Sequence, residues 1–198
     1  MVVNKSYQMD EVKEKGWVAS EEDASTNINV GKRKVYIKRT VLLIIWIAVF
    51  EAIGACIGIF FGAGDWYDTI NKPSVTPPGV VFSIVWPILY CMLAVFGWWL
   101  SYGLQHTQIK YVFTIFCVQM VGNWVWSPVF QYLHETVAGL VIISILIALN
   151  AYIFIRMLTL NIRILSVSTR YIAFIILPYL AWCCFATYLN AYIVANNP

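Results

Sequence analysis

Charge is what this sequence runs short of. Only 12% of its 198 residues are Asp, Glu, Lys or Arg, against 61% hydrophobic, where a soluble domain carries about a quarter charged. Beyond Arg39 the charged residues are few: Glu51, Asp65, Asp68, Lys72, Lys110, Glu135, Arg156, Arg163 and Arg170. Everything after position 39 therefore needs an apolar solvent. Histidine is scarcer still, with His106 and His134 alone, both near the ends of apolar runs. Neither a zinc cluster nor a paired haem ligation is visible in that pattern. The five cysteines, Cys56, Cys91, Cys117, Cys183 and Cys184, contain no Cys-x-x-Cys and lie inside apolar runs, where free thiols behave as small hydrophobes. A phosphate-binding glycine loop, a nucleophile elbow and a chain of intramembrane charges are all missing, so hydrolytic, ATP-driven and ion-coupled chemistry has no support.

What is there is long apolar runs. A spanning helix needs about 20 such residues to cross a core of about 30 Å, and five stretches qualify: 41–61, 80–104, 111–133, 137–158 and 171–195. They are continuous rather than alternating, which favours helices over a barrel. The fold class expected is an all-α membrane protein, a bundle of five transmembrane helices. Residues 1–39 read as a polar, disordered N-terminal tail and 40–198 as the membrane domain. The N-terminus lacks an early apolar core and carries acids, so neither a cleavable signal nor a transit peptide is expected. Lys32, Arg33, Lys34, Lys38 and Arg39 precede the first span, where they suit anionic lipid headgroups better than nucleic acid. Five crossings place them on one side with Lys110, Arg156, Arg163 and Arg170, and leave Lys72 opposite. The positive-inside rule then puts the N-terminus in the cytosol.

Inside the spans, several residues stand out. Glu51 is the one acid deep in a run and shares a helical face with Gly54, Gly58 and Gly62, a small-residue pattern that admits a neighbouring helix. It reads either as a protonatable site or as a neutral carboxyl joining two helices. Pro87, Pro128 and Pro178 each remove an amide donor and free the carbonyls of Ser83, Trp124 and Phe174. Three stripes recur at helical spacing: Phe82, Trp86 and Tyr90; Gln119, Asn123 and Ser127 with Trp126; Tyr179, Trp182, Ala186 and Leu189. Such stripes can surround a large, flat, mostly apolar ligand, and packing alone produces them too. Spacing leaves both open.

A resemblance speaks to that choice. Trp66-Tyr67-x4-Lys72-Pro73-Ser74-x-Thr76-Pro77-Pro78-Gly79, followed by Phe82, Trp86 and Leu89-Tyr90, resembles the signature of the translocator protein family, also called tryptophan-rich sensory proteins, peripheral benzodiazepine receptors or TspO/MBR. Gln119-x3-Asn123-Trp124-x-Trp126-Ser127-Pro128-x-Phe130 is similar to its third-span motif, and the run from Pro178 to Asn190 to its fifth. The resemblance implies a receptor or transporter, commonly a homodimer, that binds porphyrin, haem or similar tetrapyrroles, sterols and benzodiazepine-like ligands. The ligand-binding residues it implies are Trp86, Asn123, Trp126, Trp182, Ala186 and Leu189. Phe82 belongs to the same signature, and Gln119 is expected to orient polar ligand edges. The loop from Trp66 to Pro78 is expected over the pocket mouth. No cofactor is required, porphyrin or haem entering as ligand, and no metal ligation by the protein is expected.

Two other functions stay open. One is light-dependent porphyrin breakdown, an enzyme reading in which Trp86 and Trp182 would be the catalytic residues. The other is a sterol or lipid carrier, disfavoured by the lack of a basic residue after Tyr192. Val75 and Val80 stand where the family usually has Trp. The resemblance implies the mitochondrial outer membrane in a eukaryote, otherwise a bacterial or secretory-pathway membrane.

Overall fold

The computed structural model describes the backbone of residues 3–197 and, from residue 30 onwards, the side chains as well. The chain divides into two compact units, 1–42 and 43–198. In the first, where composition predicts a disordered tail over 1–39, the backbone is helical from Val3 and belongs to α1 (Val3–Phe61). No proline precedes Pro73, so no residue before it lacks the amide that a helix interior needs.

The second unit holds the remaining elements: α2 (Asp65–Thr69), α3 (Gly79–Ser101), α4 (Thr107–Ser127), α5 (Thr136–Thr159), a hairpin of β1 (Arg163–Ile164) and β2 (Val167–Ser168), α6 (Thr169–Ala173) and α7 (Leu177–Asn196). Among the described residues, five helical segments are long and apolar enough to cross a membrane: Val30–Phe61, Gly79–Ser101, Thr107–Tyr132, Thr136–Thr159 and Thr169–Asn196. They match the five runs read from sequence, with ends shifted by several residues at most except at the first, which begins earlier. Backbone groups in lipid must bond within the segment, so an apolar run of this length becomes a helix.

Within the unit, α4 lies along α5 and α5 along α7, while α3 meets α4. The tightest packing gathers where α3 ends and α4 begins. Leu93, Ala94, Phe96 and Leu100 of α3 interlock there with Ile109, Val112, Phe116 and Met120 of α4 and with Ile153 and Met157 of α5, all buried. Gly97 permits this approach, because a Cβ at that position would stand 2.7 Å from both Phe116 and Trp46. Phe50 of α1 stacks on Phe116 at 6.4 Å and meets Trp124 edge-on at 5.7 Å.

The connections explain how the helices are aimed. Pro87 lies inside α3. Pro128 opens a π-helical turn, Pro128–Tyr132, in which the Leu133 amide reaches the Pro128 carbonyl at 2.9 Å. Pro178 occupies the first turn of α7, just after the 3₁₀ turn Phe174–Ile176. Of the three carbonyls that proline was expected to free, that of Phe174 accepts from the Leu177 amide instead. Two of the three prolines thus mark a change of helix type rather than a simple bend. His134 takes φ of 59°, which lets the chain reverse between Tyr132 and Thr136. The α5–α6 link is a hairpin whose turn residues Leu165 and Ser166 hold φ of 50° and 68°. That left-handed pair normally goes to Asn-Gly. Here the buried Ile164 side chain and a bond from Trp99 Nε1 to the Ile164 carbonyl, 3.2 Å, hold it in place.

Candidate functional site

Toward the other end of the bundle α3, α4, α5 and α7 enclose a small cavity. Trp86 comes from α3, Asn123 and Trp126 from α4, Ile143 and Leu146 from α5, and Tyr179, Trp182, Cys183 and Ala186 from α7. The helical repeat of about 3.6 residues puts Asn123 with Trp126, and Trp182 with Ala186, on single inward faces. The structure therefore brings together Trp86, Asn123, Trp126, Trp182 and Ala186, five of the eight residues expected at a ligand site. The other three stand apart from the lining. Phe82 meets Trp182 edge-on at 5.5 Å. Leu189 is buried among the helices. Gln119 lies a turn from Asn123 and accepts from Asn150 Nδ2 at 3.2 Å, so its oxygen orients a helix partner; its Nε2 is buried without a partner.

The polar centre of the cavity is a short relay. Tyr90 Oη donates to Asn123 Oδ1 at 3.0 Å, and Asn123 Nδ2 donates to Tyr179 Oη at 2.6 Å. All three residues are buried. Burial away from water strengthens such bonds and penalises their loss, so the two bonds hold the Asn123 amide in place. The three indoles are held differently. Trp126 Nε1 donates to the Gly139 carbonyl at 3.1 Å and its ring stacks on Phe130 at 4.9 Å. Trp86 stacks on Tyr90 at 5.5 Å. Trp182 has a buried Nε1 that meets no acceptor.

Glu51 sits half-buried on α1. One turn on, Gly54 lies directly against the Tyr90 ring, whose Cε2 a Cβ would strike. The expected row of helix-contacting glycines shrinks to this one, since Gly58 has no atom within 4 Å of its Cβ position and Gly62 meets only Gly58. The face fails beyond Gly54 because no neighbouring helix reaches it in the single chain.

A loop with its own short helix, α2, covers this end. Trp66 stacks on His134 at 4.2 Å and meets Phe130 edge-on at 5.9 Å, so aromatic contact runs unbroken from the loop to Trp126. Lys72 Nζ donates to the Tyr67 carbonyl at 2.6 Å, lies 4.5 Å over the Tyr67 ring and stands 3.6 Å from Asp68. Burial, and then the Asp68 charge, push the Tyr67 phenol above its ordinary value. Asn71 and Asn197 clasp the loop to the end of α7. The Asn71 amide donates to Asn197 Oδ1 at 2.8 Å, and Asn197 Nδ2 donates to the Asn71 carbonyl at 3.0 Å. Val75 and Val80, at 55% and 62% exposure, add nothing to the mouth.

Sequence reasoning did not place Ile143, Leu146 or Cys183 at the site. The α5 run is apolar on every side, so nothing in it marks an inward face. Cys183 follows Trp182 directly and sits between the stripe positions that drew attention. Tyr179 was legible as part of the α7 stripe.

Five helices long and apolar enough to span, with an inward aromatic cavity under a pinned loop, define a multi-pass helical membrane protein. Within that class the chain belongs to the TspO/MBR family, whose model matches residues 46–195. It is similar to the tryptophan-rich protein TspO of Chlorobaculum tepidum, 32% identical over 155 residues, which cover 74% of this chain and 93% of that protein. The TspO of Archaeoglobus fulgidus is 31% identical over 149 residues, 71% of this chain and 87% of that one. The translocator protein of Homo sapiens is 26% identical over 151 residues, covering 74% and 85%.

Proposed function

We propose that this chain is a membrane receptor or transporter for a tetrapyrrole, or a similar flat and mostly apolar ligand, held between Trp86, Trp126 and Trp182. The observation that carries the reading is the convergence of those indoles from three helices around one fixed amide, Asn123. Flat faces supply stacking and apolar burial; the amide supplies direction to a polar ligand edge. Ala186 leaves the α7 side of the cavity open to a ring rather than filled by a side chain.

The space itself is about 10 Å³, room for about one water, whereas ligand pockets run to about 300–1,000 Å³. Binding must therefore part the indoles. Micromolar affinity corresponds to about 8 kcal/mol, and at ~25 cal/mol per Å² that is about 330 Å² of apolar burial beyond what opening and association cost. A ring system sandwiched on both faces reaches that. Arg156, Arg163 and Arg170 lie at the end opposite the loop, so positive-inside orientation turns the loop-covered mouth away from the cytosol.

A tryptophan-quenching titration with protoporphyrin, in the dark and then under light, tests this. Saturable micromolar quenching is expected, weakened about tenfold or more by Trp126→Ala and by Ala186→Phe. Quenching that never saturates removes the tetrapyrrole reading in favour of a sterol or lipid. Spectral change confined to the illuminated sample, and lost in Trp86→Phe and Trp182→Phe, adds porphyrin breakdown to binding.

A further inference from the structure

Trp182 borders two spaces, and only one of them has room. The inner cavity holds about 10 Å³. Trp182 also borders an open groove of about 390 Å³, lined by Val85, Ile88 and Leu89 of α3 and by Pro178, Ala181 and Phe185 of α7. That volume falls in the range of ligand sites. Every residue bordering it is apolar but for the indole N–H of Trp182. The groove lies within the spanning segments Gly79–Ser101 and Thr169–Asn196, so acyl chains rather than water stand at its opening.

Three further observations bear on how the two spaces are joined. The water-facing end is covered by the α2 loop, clasped through Asn71 and Asn197 and stacked through Trp66 on His134. Trp126 cannot swing without giving up its bond to the Gly139 carbonyl and its stack on Phe130. Trp182 gives up no hydrogen bond when it turns, because its buried Nε1 has no acceptor; its contacts are apolar packing against the core and ring contacts with Phe82 at 5.5 Å and Phe185 at 5.7 Å. Buried donors without a partner call for an explanation; Trp98 and Trp124 hold such an Nε1 too, and of the three only the Trp182 indole borders the cavity and the groove. An arriving ligand that carries a carbonyl or carboxylate oxygen would satisfy it.

We propose that the α3–α7 groove is a lateral portal, through which the flat apolar ligand passes from the bilayer into the inner cavity, with Trp182 as the moving gate. This rests on the ligand reading above. The ligand partitions into lipid first, occupies the groove, and enters as the Trp182 ring turns aside between Phe82 and Phe185. The loop stays closed throughout.

The test is kinetic. Full-length protein in phosphatidylcholine proteoliposomes is mixed with phosphatidylcholine vesicles carrying protoporphyrin, and quenching is followed in both directions. Ala181→Phe and Ile88→Phe narrow the groove from its two sides without touching the inner cavity. Val141→Phe, at an exposed position on α5, is the control for an added ring on the lipid face. Asn197→Ala releases the loop. Entry through the portal predicts that both groove variants slow association and dissociation about tenfold, with half-saturation unchanged within about twofold. Val141→Phe and Asn197→Ala then keep wild-type rates. Wild-type rates in both groove variants overturn the portal, as does equal slowing in Val141→Phe, or faster exchange in Asn197→Ala with no effect of Ala181→Phe. Wild-type protein without saturable quenching at equilibrium removes the ligand reading and the portal with it; saturable quenching with unaltered groove-variant rates removes the portal alone.

Discussion

The two ends of this helix bundle are built on opposite terms. At the end where α3 turns into α4, Phe96, Leu100, Ile109, Val112 and Phe116 are almost wholly buried and interlocked with the hairpin residue Ile164. At the end beneath the α2 loop, Trp86, Trp126 and Trp182 are only half-buried and stand around a space. Large flat rings with few interlocking neighbours can part and close again, whereas a jigsaw of Leu, Ile and Phe cannot. One end holds the helices together, and that leaves the other free to open.

Substitutions can break that contrast, and the largest effect belongs to the packed end. Phe116→Ala removes a ring that touches Phe50, Phe96 and Phe113. It should cost about 3–5 kcal/mol in detergent unfolding, with little change in ligand half-saturation among the molecules still folded. Next comes Asn123→Ala, which leaves the Tyr90 and Tyr179 hydroxyls facing each other across a gap. At about 1–3 kcal/mol for each buried group left unpaired, a loss of roughly 2–6 kcal/mol is expected, here with weaker ligand binding as well. Equal binding in Asn123→Ala and wild type would make the amide purely architectural.

The packed end also offers a gain. Replacing Leu165-Ser166 by Asn-Gly relieves two left-handed residues and should stabilise the hairpin by about 1 kcal/mol, read as a higher thermal midpoint without any change in quenching. The smallest effect is electrostatic and sits in the loop. Because the Tyr67 phenol is raised in the folded protein, the unfolded chain ionises first as pH climbs. Its contribution is complete below about pH 10 and is lost as pH rises past that value. Tyr67→Phe should therefore unfold with a flatter pH dependence between about pH 9 and 11, a comparison read from denaturation midpoints.

Much of this arrangement was legible in the sequence for definite reasons. Lipid leaves an apolar run of this length no structure but a helix, so the five spans could be read from hydropathy with only their ends uncertain. The stripes of Trp86, Asn123 with Trp126, and Trp182 with Ala186 could be read because helical spacing alone puts each pair on one face. Gln119 was misplaced by the same logic. It follows the stripe of Asn123, yet its oxygen bonds to Asn150 across α5, a partner that no spacing within α4 can reveal. The hairpin escaped because Leu-Ser carries no turn signal, and its conformation is imposed by the core around Ile164.

By itself, then, the sequence determined the membrane class and the number of spans, because these follow from hydropathy, and the shared faces of Asn123 with Trp126 and of Trp182 with Ala186, because these follow from the period of a helix; its motifs carried the family resemblance. Only the tertiary structure decided that the indoles leave a small cavity between them, that the loop is clasped to the end of α7, and that Trp182 stands between that cavity and a groove on the outer side. Those facts depend on how far apart two helices stand and which side of a ring each one meets, and a single helix's periodicity holds no information about its neighbour's distance.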